Sequence, residues 1–386
     1  MKISALFFSM MAAATLLAES KETKLAAEGP DHECTSWMIF SDLTGNNTNI
    51  LHKNRDATAR SIAVMTGGHD SPRRWIAMGT LWKGTFYTCM AMNSSGLAVV
   101  MNSGEPTPEN TEDLKWTTGR DTSLLTGDII AKCDTAAQGV EMLKNFIEKK
   151  DYSHKQKGSI YFFVDPKEGY IVELTALFVS VRRIDRGYDF RANIWHNPGM
   201  AQRSCIKWKG FFQNVVREYS VISSFNKALD RNGRLGLADS LALSRDSNAV
   251  IDVPIDRRVC YKYTNSASSL VIDREFPDVL SVGYMTIGHP RNTLWVPIPV
   301  CVEKLDKRME DLSWSKAAWE RFDKLGYNAP IPKEWLAFEE KSRAEYDAKT
   351  AEARKLLRAG KKAEAVALVN AAAVKIWQEA AKLLGI

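Results

Sequence analysis

Histidine is scarce in this chain: six in 386 residues, at positions 32, 52, 69, 154, 196 and 289, with no pair at a metal-ligand spacing. A metal centre is therefore not expected. The six cysteines (34, 89, 133, 205, 260 and 301) contain no Cys-x-x-Cys, which excludes a zinc ribbon, and are too sparse for a disulfide framework. The chain also lacks a phosphate-cradling glycine loop and a dinucleotide fingerprint, so no cofactor is expected. Basic residues are scattered and do not alternate with aromatics along a stripe, which argues against nucleic acid as a partner. After residue 17 no apolar run approaches the ~18 residues of a membrane helix, so stable membrane insertion is not expected.

What is present begins with a leader pattern. Lys2 is followed by an apolar run over 3–17 and small residues at Ala12, Ala13, Ala14 and Ala18, as in a signal peptide over 1–18. Residues 19–33 are polar and charged with no apolar periodicity, and read as a pro-segment or spacer. An exported protein, periplasmic or extracellular, is the expectation. The first 33 residues hold three Lys and five Asp or Glu, so the +6 of the whole chain becomes +8 for residues 34–386. That mild excess favours small anionic substrates or an envelope surface over a polyanion. Assembly into a homo-oligomer is left open.

Strand-like segments with turn residues between them occupy 35–41, 50–55, 75–82, 85–93 and 97–103. A helical stretch is expected over 124–149, with Asp134-Thr135 as a cap before Val140, Leu143, Phe146 and Ile147 on one face, a hairpin over 159–164 and 170–184, and a helix over 201–221. Further strands are expected at 259–263, 268–272, 280–287 and 294–297. Two β blocks with helices between and after them imply sheets packed on each other and covered by helices, an α+β fold, over 34–312. From 313 the composition turns to Ala, Lys, Glu and Leu, and Gly360 separates two long helical patterns. A C-terminal helical extension over 313–386, ending in a helical hairpin, is expected.

Cys34 stands directly after the spacer, so processing would make it the first residue of the mature chain. An N-terminal cysteine carries its own base. A free thiol has a pKa near ~8.5 and an α-amine near ~7.7–8, so proton transfer between them is almost balanced near neutral pH. The amine acting as base for the nucleophile removes the need for a histidine. The turn signal Thr44-Gly45-Asn46-Asn47 lies between two apolar strands. A hairpin centred on Gly45 sets Cys34 opposite Asp56, with Cβ atoms about 4.5–5.5 Å apart. A slip of one or two residues would bring Arg55 or Asn54 there instead.

Cys34-Thr35-Ser36, followed some twenty residues later by Asn54-Arg55-Asp56, resembles the opening of the N-terminal-nucleophile cysteine hydrolases. That group includes the choloylglycine hydrolases, the penicillin acyltransferase-like proteins and related dipeptidases. Asn93-Ser94-Ser95-Gly96-Leu97 resembles the family's Asn-x-x-Gly-Leu segment, and Ala192-Asn193 its later Ala-Asn segment. Residues 284–299, with Gly288-His289-Pro290 and Trp295-Val296-Pro297, resemble its closing strands.

The resemblance implies a four-layer αββα sandwich, activation by exposing Cys34, and cleavage of linear amide C–N bonds such as those of N-acyl amino acids. It assigns Cys34 as nucleophile, Asp56 as partner of its amine, and Asn93 and Asn193 as oxyanion donors. The family's arginine three residues before the aspartate is replaced by Lys53, with Arg55 nearby. For the later site arginine the nearest match is Arg203, with Lys207 and Lys209 as competitors. A dipeptidase or acyltransferase with the same nucleophile, or a non-catalytic envelope binding protein, are the alternatives. The eleven tryptophans would line an apolar acyl pocket or, as is commoner, pack the core.

Overall fold

The computed structural model describes residues 34–106, 121–152, 157–204, 206, 208–247 and 258–386. The leader and spacer lie outside them. Two antiparallel sheets form the centre. In the first, β1 (Cys34–Ile39), β2 (Thr48–Asp56), β10 (Tyr188–Arg191), β11 (Thr264–Asp273), β12 (Val282–Thr286) and β13 (Val296–Pro299) run in the order β10-β1-β2-β11-β12-β13. The second is a meander of β3 (Ile62–Gly67), β4 (Trp75–Trp82), β5 (Thr85–Asn93), β6 (Ala98–Pro106), β7 (Lys157–Val164), β8 (Gly169–Leu174) and β9 (Val179–Ile184), each paired with the next.

The sequence alternates as stacked sheets require. Met38, Leu51, Met78, Val100 and Phe162 fill the layer between the sheets. Val99, Tyr161 and Phe163 point the other way, under α2 (Thr122–Lys132) and α3 (Ala136–Glu148). On the outer face of the first sheet, Trp37 packs edge-on against Phe225 of α4 (Trp208–Asn232) and donates to Ser240 of α5 (Leu237–Ser244). The layers are therefore α, β, β, α, as expected. Trp37, Trp314 and Trp377 are fully buried, so these tryptophans serve the core.

After β13 come α7 (Lys307–Glu310), α8 (Ser313–Leu325), α9 (Lys333–Arg358) and α10 (Lys362–Leu384). The turn between α9 and α10 uses Gly360 at φ +76°, a left-handed conformation that glycine adopts without a Cβ penalty. The Trp377 indole of α10 donates to the Pro297 carbonyl, fastening the hairpin to β13.

Several expectations are corrected. The segment 124–149 is two helices, because Thr135 caps the second: its hydroxyl accepts from the Gln138 amide while the Gln138 side chain accepts from the Thr135 amide. The helix placed at 201–221 starts at Trp208, and only a single 3-10 turn covers Ala201–Arg203. Residues 259–263 are not a strand, while 170–184 is two strands with a turn between. The β1–β2 register is one residue off the expected one, with Ile39 opposite Ile50 and Cys34 opposite Arg55. The cause is α1 (Ser41–Thr44), a single helical turn closed by Gly45 at φ +70°, which lengthens the connection on one side.

Candidate active site

Directly paired residues on adjacent strands project to the same face, so Cys34 with Arg55 and Ser36 with Lys53 both face the second sheet. Polar groups occupy this end of the inter-sheet layer. Lys53, 1% exposed, donates to the Met101 carbonyl at 2.7 Å and to Asn102 Oδ1 at 2.8 Å. Asn102 Oδ1 also accepts from the Ser36 hydroxyl at 2.7 Å. The Asn102 amide in turn donates to the carbonyls of Arg191 and Ala192, so β6 positions the loop carrying Asn193. Arg55 is half-buried and gives one hydrogen bond to Thr80 Oγ1 at 2.6 Å.

Asn193 meets Cys34 itself. Its Oδ1 accepts the Cys34 backbone N–H at 2.6 Å, and its Nδ2 donates to the Ser103 carbonyl at 2.6 Å. Arg217, on the buried face of α4 and wholly enclosed, completes the grip. Its guanidinium donates to the Cys34 carbonyl at 2.7 Å, to Thr35 Oγ1 at 3.1 Å and to Asn193 Oδ1 at 3.0 Å. Asp56 is buried, accepts from Thr264 Oγ1 at 2.6 Å, and lies 3.8 Å from the Arg217 guanidinium. It thus balances Arg217, where direct pairing with Cys34 was expected. Glu218, next on the helix, accepts the Ala192 N–H at 2.9 Å and meets His196 Nε2 at 3.0 Å.

A cavity of about 170 Å³ opens on this arrangement, lined by Cys34, Lys53, Arg55, Asp56, Cys89 and Asp121 among others. Its wall is mixed, with Lys53, Arg55 and Asp56 beside Ala57 and Met101, and no tryptophan lines it. Two larger clefts, of about 710 and 690 Å³, lie against α5 and α9 and do not include Cys34.

Cys34, Arg55, Asp56 and Asn193 are brought together; Asn93 and Arg203 are not. Asn93 donates to the carbonyls of Ile130 and Cys133 and accepts from the amides of Ser95 and Leu97, which ties its own turn to the end of α2. Arg203 stacks on the Phe178 ring. Lys207 lies outside the described residues, and nothing is described of the Lys209 side chain. Arg217 was missed by sequence reasoning. The available signal was a run of polar residues, Asn214, Arg217 and Glu218, at helical spacing on the face that also carries Val221 and Phe225.

Neighbouring histidines are structural. His52 is buried, stacked at 3.9 Å on Trp37, and burial lowers its pKa to about 3. His289 is likewise buried and lowered to about 3, bonded to the Tyr261 carbonyl. Among the described residues no cluster of His, Cys, Asp or Glu is placed to hold a metal, and no helix is long and apolar enough to cross a membrane.

No protein-family model matches the sequence, and no curated protein matches it. Solved structures do show similarity. Two variants of the conjugated bile acid hydrolase from Clostridium perfringens align at 13% and 12% identity. They cover 69% and 71% of this chain and 92% and 94% of their own, with TM-scores of 0.43 and 0.44. A Caenorhabditis elegans ortholog of N-acylethanolamine-hydrolyzing acid amidase aligns at 11% identity, over 64% of this chain and 94% of that one, with a TM-score of 0.42.

Proposed function

We propose that this protein is an exported amidohydrolase in which removal of residues 1–33 exposes Cys34 as an N-terminal nucleophile. Its substrates would be small molecules with a linear amide C–N bond, N-acyl amino acids or similar conjugates. The observation that carries this reading is the double hold on Cys34: Asn193 accepts from its nitrogen and Arg217 donates to its carbonyl. A buried strand residue has these groups paired, ordinarily by backbone of the next strand; at Cys34 two side chains from outside the β1–β2 hairpin take them. A residue gripped at both ends of its backbone has its side chain aimed while the nitrogen stays beside the thiol.

In the mature chain the α-amine takes the Sγ proton and the thiolate attacks the substrate carbonyl carbon. The ammonium donates to Asn193 Oδ1, and the nearby Asp56 carboxylate favours its charge. The guanidinium of Arg217 holds the Cys34 carbonyl in place while this happens. The C–N bond then breaks, the ammonium proton goes to the leaving amine, and water hydrolyses the thioester with the amine again as base. This reading assigns the developing oxyanion to Arg55, opposite Cys34 on the neighbouring strand, and to Asn193, which meets the Cys34 nitrogen, rather than to Asn93, whose bonds stay within its own turn and the end of α2. Removing one such donor typically costs about 10²–10³ in rate. The charged residues of the cavity wall, Lys53, Arg55, Asp56 and Asp121, suit substrates with a charged group close to the scissile bond.

The test joins N-terminal sequencing of the exported protein to turnover of an N-acyl amino acid panel. A mature chain starting at Cys34, active as wild type and inactive as Cys34→Ser, is the expected result. Turnover unchanged in Cys34→Ser would remove the residue from the mechanism.

A further inference from the structure

A second thiol lines the same cavity as Cys34, that of Cys89 in β5. A regular strand would not place it there. Successive side chains alternate between faces, so Met90 in the layer between the sheets would send Cys89 toward α2. The β4–β5 ladder instead steps from Met78 opposite Met90 to Gly79 opposite Thr88, and Cys89 is the extra residue of a β-bulge. Cys89 and Met90 both join the inter-sheet layer as a result, while Thr88 lies against Gly127 of α2. Glycine at 79 is required for this: a Cβ there would come within 2.1 Å of the Tyr87 carbonyl oxygen. Cys89 is a free thiol, 3% exposed, with its Sγ 3.5 Å from the Tyr87 carbonyl. The amide-cleaving reaction gives it no task.

A thiol enriched in thiolate for catalysis is also the one that peroxides oxidise first. Its sulfenic acid proceeds to the irreversible sulfinic acid unless a second thiol intercepts it. We infer that Cys89 is that resolving thiol, and that the bulge exists to turn it toward Cys34, so that oxidation gives a reversible disulfide instead of a dead enzyme. The inference rests on Cys34 being the reactive nucleophile proposed above.

In the first step the Cys34 thiolate attacks a hydroperoxide: an S–O bond forms, the O–O bond breaks, and hydroxide or alkoxide leaves. In the second, the Cys89 thiol attacks Cys34 Sγ, the S–S bond forms, the S–O bond breaks, and the leaving hydroxide takes the thiol's proton to depart as water. Two thiols have given two electrons to one peroxide. A dithiol reverses the second product.

Both thiols line one cavity of about 170 Å³, so no other side chain has to be crossed for them to face each other. Stacked sheets lie about 10 Å apart, and a disulfide spans Cα atoms about 4.4–6.8 Å apart. The bond therefore needs this end of the sandwich to close by a few ångström. The bulge supplies a segment whose ladder is already interrupted.

The test exposes the mature protein to a small excess of hydrogen peroxide. Peptide mapping without reductant is expected to recover a Cys34–Cys89 linked peptide, and dithiothreitol to restore the lost activity. In Cys89→Ala, with Cys89→Ser as the isosteric second variant, peroxide loss is read as a fraction of each variant's own untreated turnover. Their peroxide loss is expected to resist dithiothreitol, and Cys34 to gain two oxygen atoms. Absence of the linked peptide in wild type, or full recovery of both variants, overturns the inference. The peptide map needs no substrate. A protein that forms the bond but cleaves no amide sinks the proposed function and not the pairing; an active enzyme without the bond does the reverse.

Discussion

Asn93 and Asn193 carry the same side chain in similar surroundings, and the molecule uses them differently. Both are buried, both stand at the end of a strand (Asn93 closing β5, Asn193 two residues past β10), and both have their amide oxygen and nitrogen engaged. The four partners of Asn93 come from its own turn and the end of α2. Asn193 instead reaches β1 through Cys34, β6 through Ser103 and α4 through Arg217. One asparagine closes a loop; the other ties three elements at the point where a nucleophile would stand. A motif match is blind to that difference, because it depends on which elements the topology brings to each amide.

The sharpest way to break the comparison is through Arg217. Arg217→Ala removes the side-chain donor to the Cys34 carbonyl, takes one of the donors from Asn193 Oδ1 and from Asn214 Oδ1, and leaves Asp56 without the Arg217 cation. Breaking a buried pair of this kind costs about 3–5 kcal/mol, so chemical denaturation should show a large loss together with loss of turnover. A stable, active Arg217→Ala protein would mean that the hold on Cys34 is dispensable.

Next in size is Asn193→Ala, expected to lower kcat/KM by about 10²–10³ through loss of the positioned donor and of the grip on the Cys34 nitrogen. Asn193→Asp keeps the acceptor for Cys34 and Arg217 and loses the donor to Ser103, and should fall between the two. Equal activity of all three proteins would place Asn193 with Asn93 as a loop residue.

Asn93→Ala is expected to act on stability alone. It leaves the Ile130 and Cys133 carbonyls unpaired, at about 1–3 kcal/mol by denaturant midpoint, with kcat/KM of the folded protein unchanged. A loss of activity as large as that of Asn193→Ala would restore the oxyanion role assigned by resemblance.

The smallest effect concerns Glu105, whose Oε1 accepts the Trp195 N–H and so helps set the Asn193 loop. Burial pushes its carboxyl up to about 7, above the ordinary 4.5. The folded protein then binds more protons than the unfolded chain between those values, and this group's contribution to stability falls as pH rises from 4.5 to 7. Glu105→Gln should flatten that fall, by about 1–3 kcal/mol between pH 4.5 and 8. Parallel pH profiles for the two proteins would show that the carboxyl is not held as described.

Much of this was readable beforehand, for local reasons. The β1–β2 hairpin follows from two apolar runs around a turn signal, and the C-terminal helical hairpin from composition and Gly360. The exact register did not follow, because α1 inserts a helical turn that a centred hairpin ignores. Arg217 was passed over because it sits in the middle of a long helix, far in sequence from every residue it touches. Arg203 lay closer to the motif and stacks on Phe178 instead. The bulge at Cys89 is visible only in the ladder, since an extra residue leaves no mark in the alternation of a short strand.

Local chemistry thus determined the elements, the layers they stack into, and Cys34 as the residue to examine, because propensity, alternation and turn type are properties of neighbours in the chain. Tertiary structure decided which side chains surround that cysteine. Asn193, Arg217 and Cys89 reach it from 159, 183 and 55 residues away, across two sheets and a helix, and their approach is set by strand register, one bulge and the buried face of α4.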